Sequence, residues 1–430
     1  MLMVRKRYAL VGTGGRAEFF YGALASSFRE TSELVAFCDI NGIRLDYANQ
    51  LLRDKYDHPE VALYGAHEFD AMIAREKPDT VIVTTIDRAH HKYIIRAMEL
   101  GCDVITEKPM TIDENKCQDI LDAVKRTGQN LRVTFNYRYA PHNTKVRELI
   151  MDGVIGDVHS VHFEWLLSTV HGADYFRRWH RDKRNSGGLL VHKSTHHFDL
   201  VNFWLGTQPE SVFAMGGLMF YGRENAERRG VTQFYQRASG SEAAKGDPFA
   251  LHLESNEHLK ALYLDAEEAD GYQRDQSVFG DGISIEDTLG VMVRYQNQAV
   301  LTYSLNAYLP WEGFNVVFNG NKGRMELKVV ERSYVNAAGE KEDEGALSYK
   351  QLTVQPMFQQ AYEVKIEDRS GGHGGGDPIL LNDLFGVPES DRFNRAASHV
   401  DGAVSILTGI AGNVSMRTGR QVGIKELVTF

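Results

Sequence analysis

The sequence predicts an α/β protein in which a doubly wound parallel sheet precedes a second α/β domain with a mostly antiparallel sheet. Three observations carry this. Over the first third, short apolar runs alternate with helical patterns. The first run ends in a glycine-rich turn that opens a helix. Late in the chain, "ISIEDTLGVMVRYQNQAVLTYSLNAY" and "FNVVFNGNKGRMELKVV" alternate apolar and polar residues, as antiparallel strands do when one face is covered. The 430 residues exceed one compact core, and two domains are expected, at 1–138 and 139–430.

Bulk properties narrow the function classes. Hydrophobic residues at 43% and charged residues at 25% are those of a soluble globular protein. A net charge of −10 argues against nucleic acid or a membrane surface as partner. The three cysteines, Cys38, Cys102 and Cys117, lack metal-ligand spacing and fit a reduced, cytoplasmic setting. Arg5, Lys6 and Arg7 precede an apolar run, but "YALVGTGG" reaches glycine too soon for an export signal and reads as a first strand. No stretch is long enough to span a bilayer.

The strand candidates of the first domain are "YALVG", "ELVAFCD", "DTVIVTT", "DVITEK" and "LRVTFNY", with helical segments such as "AEFFYGALASSF", "RAHHKYIIRAMELG" and "DENKCQDILDAVKRTG" between them. The first strand runs into "VGTGGRAEFF", where Gly12, Gly14 and Ala17 match G-x-G-x-x-A. Gly12 allows the tight turn, Gly14 lets the backbone approach a pyrophosphate, and Ala17 permits close helix–strand packing. Thr13, Gly15 and Arg16 lie in the same turn and join the expected cofactor-binding set. The second strand ends at Asp39, whose carboxylate can accept hydrogen bonds from an adenosine ribose. A carboxylate there repels a 2′-phosphate, so NAD is the expected cofactor. Arg16 and Arg44 could reach such a phosphate and leave NADP as the alternative.

"VIVTTIDRAHHKYIIRAMELGCDVITEKPMT", "GGLLVHKSTHHFDLVNFWLG" and "DGAVSILTGIAGNVSMRTGRQVGI" occur in that order, and with the glycine turn they resemble the glucose–fructose oxidoreductase, inositol 2-dehydrogenase and rhizopine-catabolism (Gfo/Idh/MocA) family. Thr85, His90 and Glu107-Lys108-Pro109 match its motifs. Ile86 stands where the family has proline, and coverage is weakest from about Phe220 to Gly282. The resemblance implies a Rossmann domain, then a domain with a large open sheet whose face encloses the substrate against nicotinamide. It implies cofactor contacts from Thr85, His90, Glu107 and Lys108, and a role for Lys108 at the substrate hydroxyl. A homodimer or homotetramer is likewise implied.

The stretch Gly187 to Gly206 looks like a buried helix yet carries His192, Lys193, His196, His197 and Asp199. On a helix His192, His196 and Asp199 fall at i, i+4 and i+7, on one face. The resemblance gives His196 acid–base transfer with the reacting hydroxyl. His192 departs from the family's usual aspartate, so Asp199 is expected to orient His196 instead. Lys193 adds positive charge near a substrate oxygen, and His197 points elsewhere as a structural residue. Lys108, His196 and His192 are thus the expected acid–base groups. Two histidines four apart can also chelate zinc, with His180 or His373 as a third ligand. That geometry is not fixed by sequence, and no metal is expected.

Asn136 and Arg138 follow the last parallel strand and are expected to border cofactor and substrate. "DYFRRWHRDKRNSGG" offers Trp179 for stacking on a sugar face. Segments 267–282 and 306–313 are further substrate-loop candidates. Glycine-rich 370–378, with His373 and Asp377, is expected to be neither helix nor packed strand. The expected activity is NAD(P)-dependent hydride transfer at a hydroxyl-bearing carbon of a sugar, cyclitol or related polyol. The alternatives are a redox-neutral glycosidase or lyase working through a transient keto-sugar, and an NAD-binding sensor or scaffold.

Overall fold

The computed structural model describes residues 5–332, 349–369, 372–387 and 390–430. Strands β1 (Lys6–Val11), β2 (Ser32–Asp39), β3 (Ala62–Gly65), β4 (Thr80–Val83), β5 (Asp103–Thr106) and β6 (Leu131–Val133) form one parallel sheet in the order β3-β2-β1-β4-β5-β6. The order reverses between β1 and β4, which opens a crevice at their C-terminal ends. Ala9, Leu10 and Val11 of β1 and Val81, Ile82 and Val83 of β4 are buried, as central strands covered on both faces require.

Capping chemistry fixes where the helices begin. The Asn41 side chain accepts from Arg44 N at the start of Gly42–Tyr56, and Asp113 accepts from Lys116 N at the start of Glu114–Thr127. Both caps leave the preceding strand ends at the crevice.

The second sheet contains β7 (Val158–Ser168), β8 (Pro209–Gly217), β9 (Thr288–Tyr295), β10 (Val300–Leu309), β11 (Glu312–Gly320), β12 (Gly323–Arg332), β13 (Tyr349–Pro356), β14 (Tyr362–Glu363) and β15 (Val422–Gly423). Their order is β14-β13-β12-β11-β7-β10-β9-β8-β15, and every pairing is antiparallel except β7 with β10. The two alternating stretches form the hairpins β9–β10, closed by a hydrogen bond from Tyr295 N to Ala299 O, and β11–β12. Their inward residues, among them Val291, Val293, Leu301, Tyr303, Phe314 and Val316, are buried beneath the histidine-bearing helices.

Those helices run Leu189–His192 and Ser194–Leu205, with Lys193 at the junction. The closing helix His399–Thr418 packs across them and also reaches β6 and β8. It begins with a capping box between Ser398 and Asp401. Gly409 sits at the crossing, where a Cβ would lie 2.2 Å from Leu190 O. No larger residue fits without moving the turn that carries His192. Among the described residues no helix is long and apolar enough to cross a membrane.

Gly409→Ala is therefore expected to destabilise the fold by ~1–3 kcal/mol, the range for overpacking a tight core, and to displace Leu189–His192. Urea unfolding of the variant measures the first effect.

Candidate active site

The crevice at the ends of β1 and β4, flanked by the end of β2, is shaped for a dinucleotide. Gly12 has φ +95°, and a Cβ there would lie 2.6 Å from Thr85 N, so only glycine lets β1 turn against β4. A Cβ on Gly14 would meet nothing within 4 Å, which leaves the backbone of the turn open on the side of an approaching phosphate. Asp39 is held on the same turn. Its Oδ2 accepts from Thr13 N at 2.6 Å and Thr13 Oγ1 at 3.1 Å, and its Oδ1 accepts from Asn41 N at 2.8 Å.

The basic neighbours are committed elsewhere. Arg16 Nε donates to Glu107 Oε1 at 2.7 Å, and Arg44 Nη1 pairs with Asp270 Oδ2 at 2.5 Å. Each expected phosphate-binding charge thus has a carboxylate partner, which favours NAD. Glu107 in turn accepts from Lys108 N through Oε2 at 3.0 Å, and fixes the loop after β5.

Lys108 points from that loop to the histidine helix. Its Nζ lies 3.5 Å from both His192 Nε2 and His192 O. His192 Nδ1 is 2.5 Å from Asp87 Oδ2. An ammonium offers donors only, so Nε2 accepts from Lys108 and Nδ1–H donates to Asp87. Burial pulls Lys108 down to about 8, with Lys193 and Arg16 adding to the effect and Glu107 and Asp87 opposing it. Burial likewise holds His192 well below the usual histidine range, helped by Lys108 and His180, and pushes Asp87 well above the carboxylate range.

His196 lies alongside. It is buried, packs edge-on against Tyr137 at 4.9 Å between ring centres, and its Nδ1 has no hydrogen-bond partner among the described residues. Burial, then the charges of Lys108 and Lys193, keep it neutral near pH 7. Lys193 Nζ sits 4.9 Å over the Trp165 ring, and burial lowers its pKa as well. Trp179, half-buried, stacks on His180 at 3.5 Å and faces His192 edge-on at 6.0 Å.

Four expectations need correction. Asp199 does not orient His196, because both its oxygens bind Arg138, at 2.7 and 2.6 Å. Arg138 does not border the substrate: it is buried, and its Nη2 also reaches Asp401 at 2.9 Å, so its guanidinium is a structural tie. His90 presents no free nitrogen to a cofactor. Its Nδ1 and Nε2 lie 2.8 and 2.9 Å from the carbonyls of Pro109 and Thr85, and it braces the two loops that carry Lys108 and Asp87. In the glycine-rich segment, Ser370 and Gly371 lie outside the described residues, but Asp377 and Pro378 open a helix, Asp377–Phe385. There His373 Nδ1 lies 2.9 Å from Asp377 Oδ2, and Asn136 Nδ2 donates to Asp377 Oδ1 at 2.8 Å. Asn136 Oδ1 is buried without a partner at the rim of the crevice.

Asp87 is the residue that sequence reasoning missed. Its only signal was an acid two residues beyond Thr85, in the loop after a parallel strand, where such sheets place ligands. Asp87, His180 and His192 also offer ligand atoms within 4.8 Å of one another, close enough to share a metal ion. The short Asp87–His192 contact and the charges of Lys108 and Arg178 acting on Asp87 suit a hydrogen-bonded pair better than a second cation.

A nucleotide crevice that faces a buried lysine–histidine cluster across two domains is the architecture of a nicotinamide-dependent oxidoreductase. The chain belongs to the Gfo/Idh/MocA oxidoreductase family: residues 6–135 match its NAD-binding Rossmann fold and residues 147–424 its C-terminal alpha/beta domain. YteT of Bacillus subtilis (strain 168), an oxidoreductase by name, is 35% identical over 445 residues, which covers 98% of each chain. The D-glucoside 3-dehydrogenase of Escherichia coli (strain K12) is 28% identical over 200 residues, 46% of this chain and 54% of the enzyme. The WlbA dehydrogenase from Bordetella pertussis, solved with NADH and UDP-GlcNAcA, has a similar fold, with a TM-score of 0.64 at 18% identity over 98% of this chain and 99% of that one. The protein is thus an NAD-binding oxidoreductase of the class acting on CH–OH groups.

Asp199→Ala is expected to cost ~3–5 kcal/mol of stability, because it leaves the buried Arg138 guanidinium short of a carboxylate. The loss is read from chemical unfolding. NAD affinity is expected to stay close to wild type.

Proposed function

We propose that the protein oxidises a secondary hydroxyl of a sugar, cyclitol or related polyol, with Lys108 and His192 moving the hydroxyl proton. The observation that carries this is the chain of contacts from Lys108 Nζ to His192 and on to Asp87, beside the unpartnered Nδ1 of His196. NAD held by Gly12–Arg16 and Asp39 supplies a hydride acceptor. Lys108, when neutral, takes the proton at Nζ, while the neutral His192 accepts a hydrogen bond from Nζ at Nε2 and donates from Nδ1–H to Asp87. His196 accepts from a neighbouring hydroxyl and orients the ring of the substrate. Trp179 gives an aromatic wall for the C–H face of a sugar. The glucoside substrate in the name of the E. coli relative supports the sugar class.

Two further features belong to this reading. Cys38, Cys102 and Cys117 are free and buried, which suits the cytoplasm. Phe213, Met215 and Met292 are exposed on β8 and β9, which suits a sheet face covered in a homodimer or homotetramer.

Sugars, cyclitols and glycosides are to be screened with NAD for NADH formation and for product by mass spectrometry. Lys108→Ala and His192→Ala are each expected to lower kcat by about 10²-fold or more. Full turnover in both variants would sink the relay. Turnover of a glycoside with no net NADH would mark the redox-neutral reaction. Stoichiometric zinc or manganese whose removal abolishes turnover would replace the relay with a metal site on Asp87, His180 and His192.

The pH profile is a separate test. Only the neutral amine accepts a proton, so the oxidation rate is expected to rise through about pH 8 and level off above it. The negative charge of Asp87 opposes the fall in the Lys108 pKa, so Asp87→Asn is expected to move that midpoint to lower pH.

A further inference from the structure

The stretch of weakest family coverage, 220–282, returns to the nucleotide crevice. From Leu253 to Asp270 the chain makes short helical turns, Leu253–Ser255, Glu257–Leu259, Lys260–Leu264 and Glu267–Asp270. These form a strap against the parallel-sheet domain. Gly15 N donates to Tyr263 Oη at 3.3 Å. Arg44 Nε donates to Leu262 O at 3.1 Å and its Nη1 pairs with Asp270, while Asn41 Nδ2 donates to Ala266 O at 2.8 Å. Tyr47 Oη and His258 Nδ1 are 3.0 Å apart. Leu262 and Ala266 are buried by these contacts.

The placement is informative. Gly15 lies in the turn that presents backbone amides to a pyrophosphate, and Asn41 and Arg44 begin the helix after Asp39, beside the ribose position. The strap therefore spans from the glycine turn after β1 to the start of the helix after β2. The Tyr263 oxygen accepts from an amide of the glycine turn, as an oxygen of a bound anion would. Arg44 Nη2 and Tyr272 Oη are buried without partners among the described residues, so polar capacity remains beneath the strap. The strap is anchored on its own domain as well, through Arg237 paired with Glu267 and with Asp275, and through Arg274 paired with Asp174 at 2.7 Å and set 5.5 Å from the Tyr263 ring.

We propose that residues 253–272 close over bound NAD and retain it through turnover, with the Tyr263 hydroxyl turning from acceptor to donor when a pyrophosphate oxygen takes the Gly15 amide. This rests on the reading of the crevice as the NAD site. Neither Tyr263 nor the Arg44–Asp270 pair takes part in the proton transfer assigned to Lys108 and His192.

The test follows NAD itself. Purified full-length protein is loaded with NAD and passed through gel filtration, its NAD content is measured, and release of bound NADH is timed by fluorescence during a chase with excess NAD. Wild type is expected to keep near-stoichiometric NAD. Tyr263→Phe and Asp270→Asn are each expected to speed release by about 10-fold or more, the scale of one lost hydrogen bond to a charged group, and Tyr263→Phe to do so with the thermal midpoint of the apo-protein little changed. Wild type that binds NAD but sheds it as fast as both variants would overturn the strap and leave the NAD site standing. Protein that binds no NAD under any of these conditions would overturn both.

Discussion

The buried guanidinium of Arg138 is the tie on which the site depends. It leaves the parallel-sheet domain just after β6 and meets Asp199 from the histidine helix and Asp401 from the closing helix. Three segments far apart in sequence are thereby fixed at one point. The carboxylates leave no other comfortable arrangement, since a lone charge at this depth costs several kcal/mol. Gly409 brings the closing helix against Leu190 from the other side. Between these two constraints the turn at His192 has one position, and that position faces Lys108.

Burial sets the chemistry of the cluster. His192, His196, Lys193 and Lys108 all have lowered pKa values, and in each the first cause is loss of water around the charged form. The histidines are left as neutral rings able to accept hydrogen bonds, and the lysine is poised near neutrality. Such tuning is what proton transfer at an alcohol requires, because a group far from its pKa cannot both take and release a proton. Among the described residues, Nδ1 of His180 and Nδ1 of His196 are buried without a partner, the matching signature of a site built to receive a polar ligand.

Much of the fold was legible because its signals are local. Strand periodicity, the glycine turn at Gly12–Ala17 and the acid at Asp39 each depend on a few adjacent residues, and the alternating stretches form antiparallel strands as expected. The site was legible only as residue types. Lys108, His192 and His196 could be chosen, but their partners could not. Asp199 was the nearest carboxylate along the helix, yet a bidentate guanidinium outcompetes an imidazole for it. The carboxylate that serves His192 comes instead from Asp87, across the domain boundary and 105 residues away. Arg138 carries the same lesson: a basic residue at a strand end suits a ligand, until burial between two acids commits it.

By itself the sequence determined five of the six parallel strands, the glycine turn and the acid at Asp39, because turns and hydrophobic periodicity act over a few residues, whereas the short β3 gave no such pattern. The tertiary structure alone decided the pairing of His192 with Asp87, the removal of Arg138 and His90 from the ligand's reach, and the return of 253–272 over the glycine turn. These are contacts between segments brought together only by burial of the two sheets. Their strength comes from the low dielectric and exact alignment that packing creates, and no local pattern of residues encodes either.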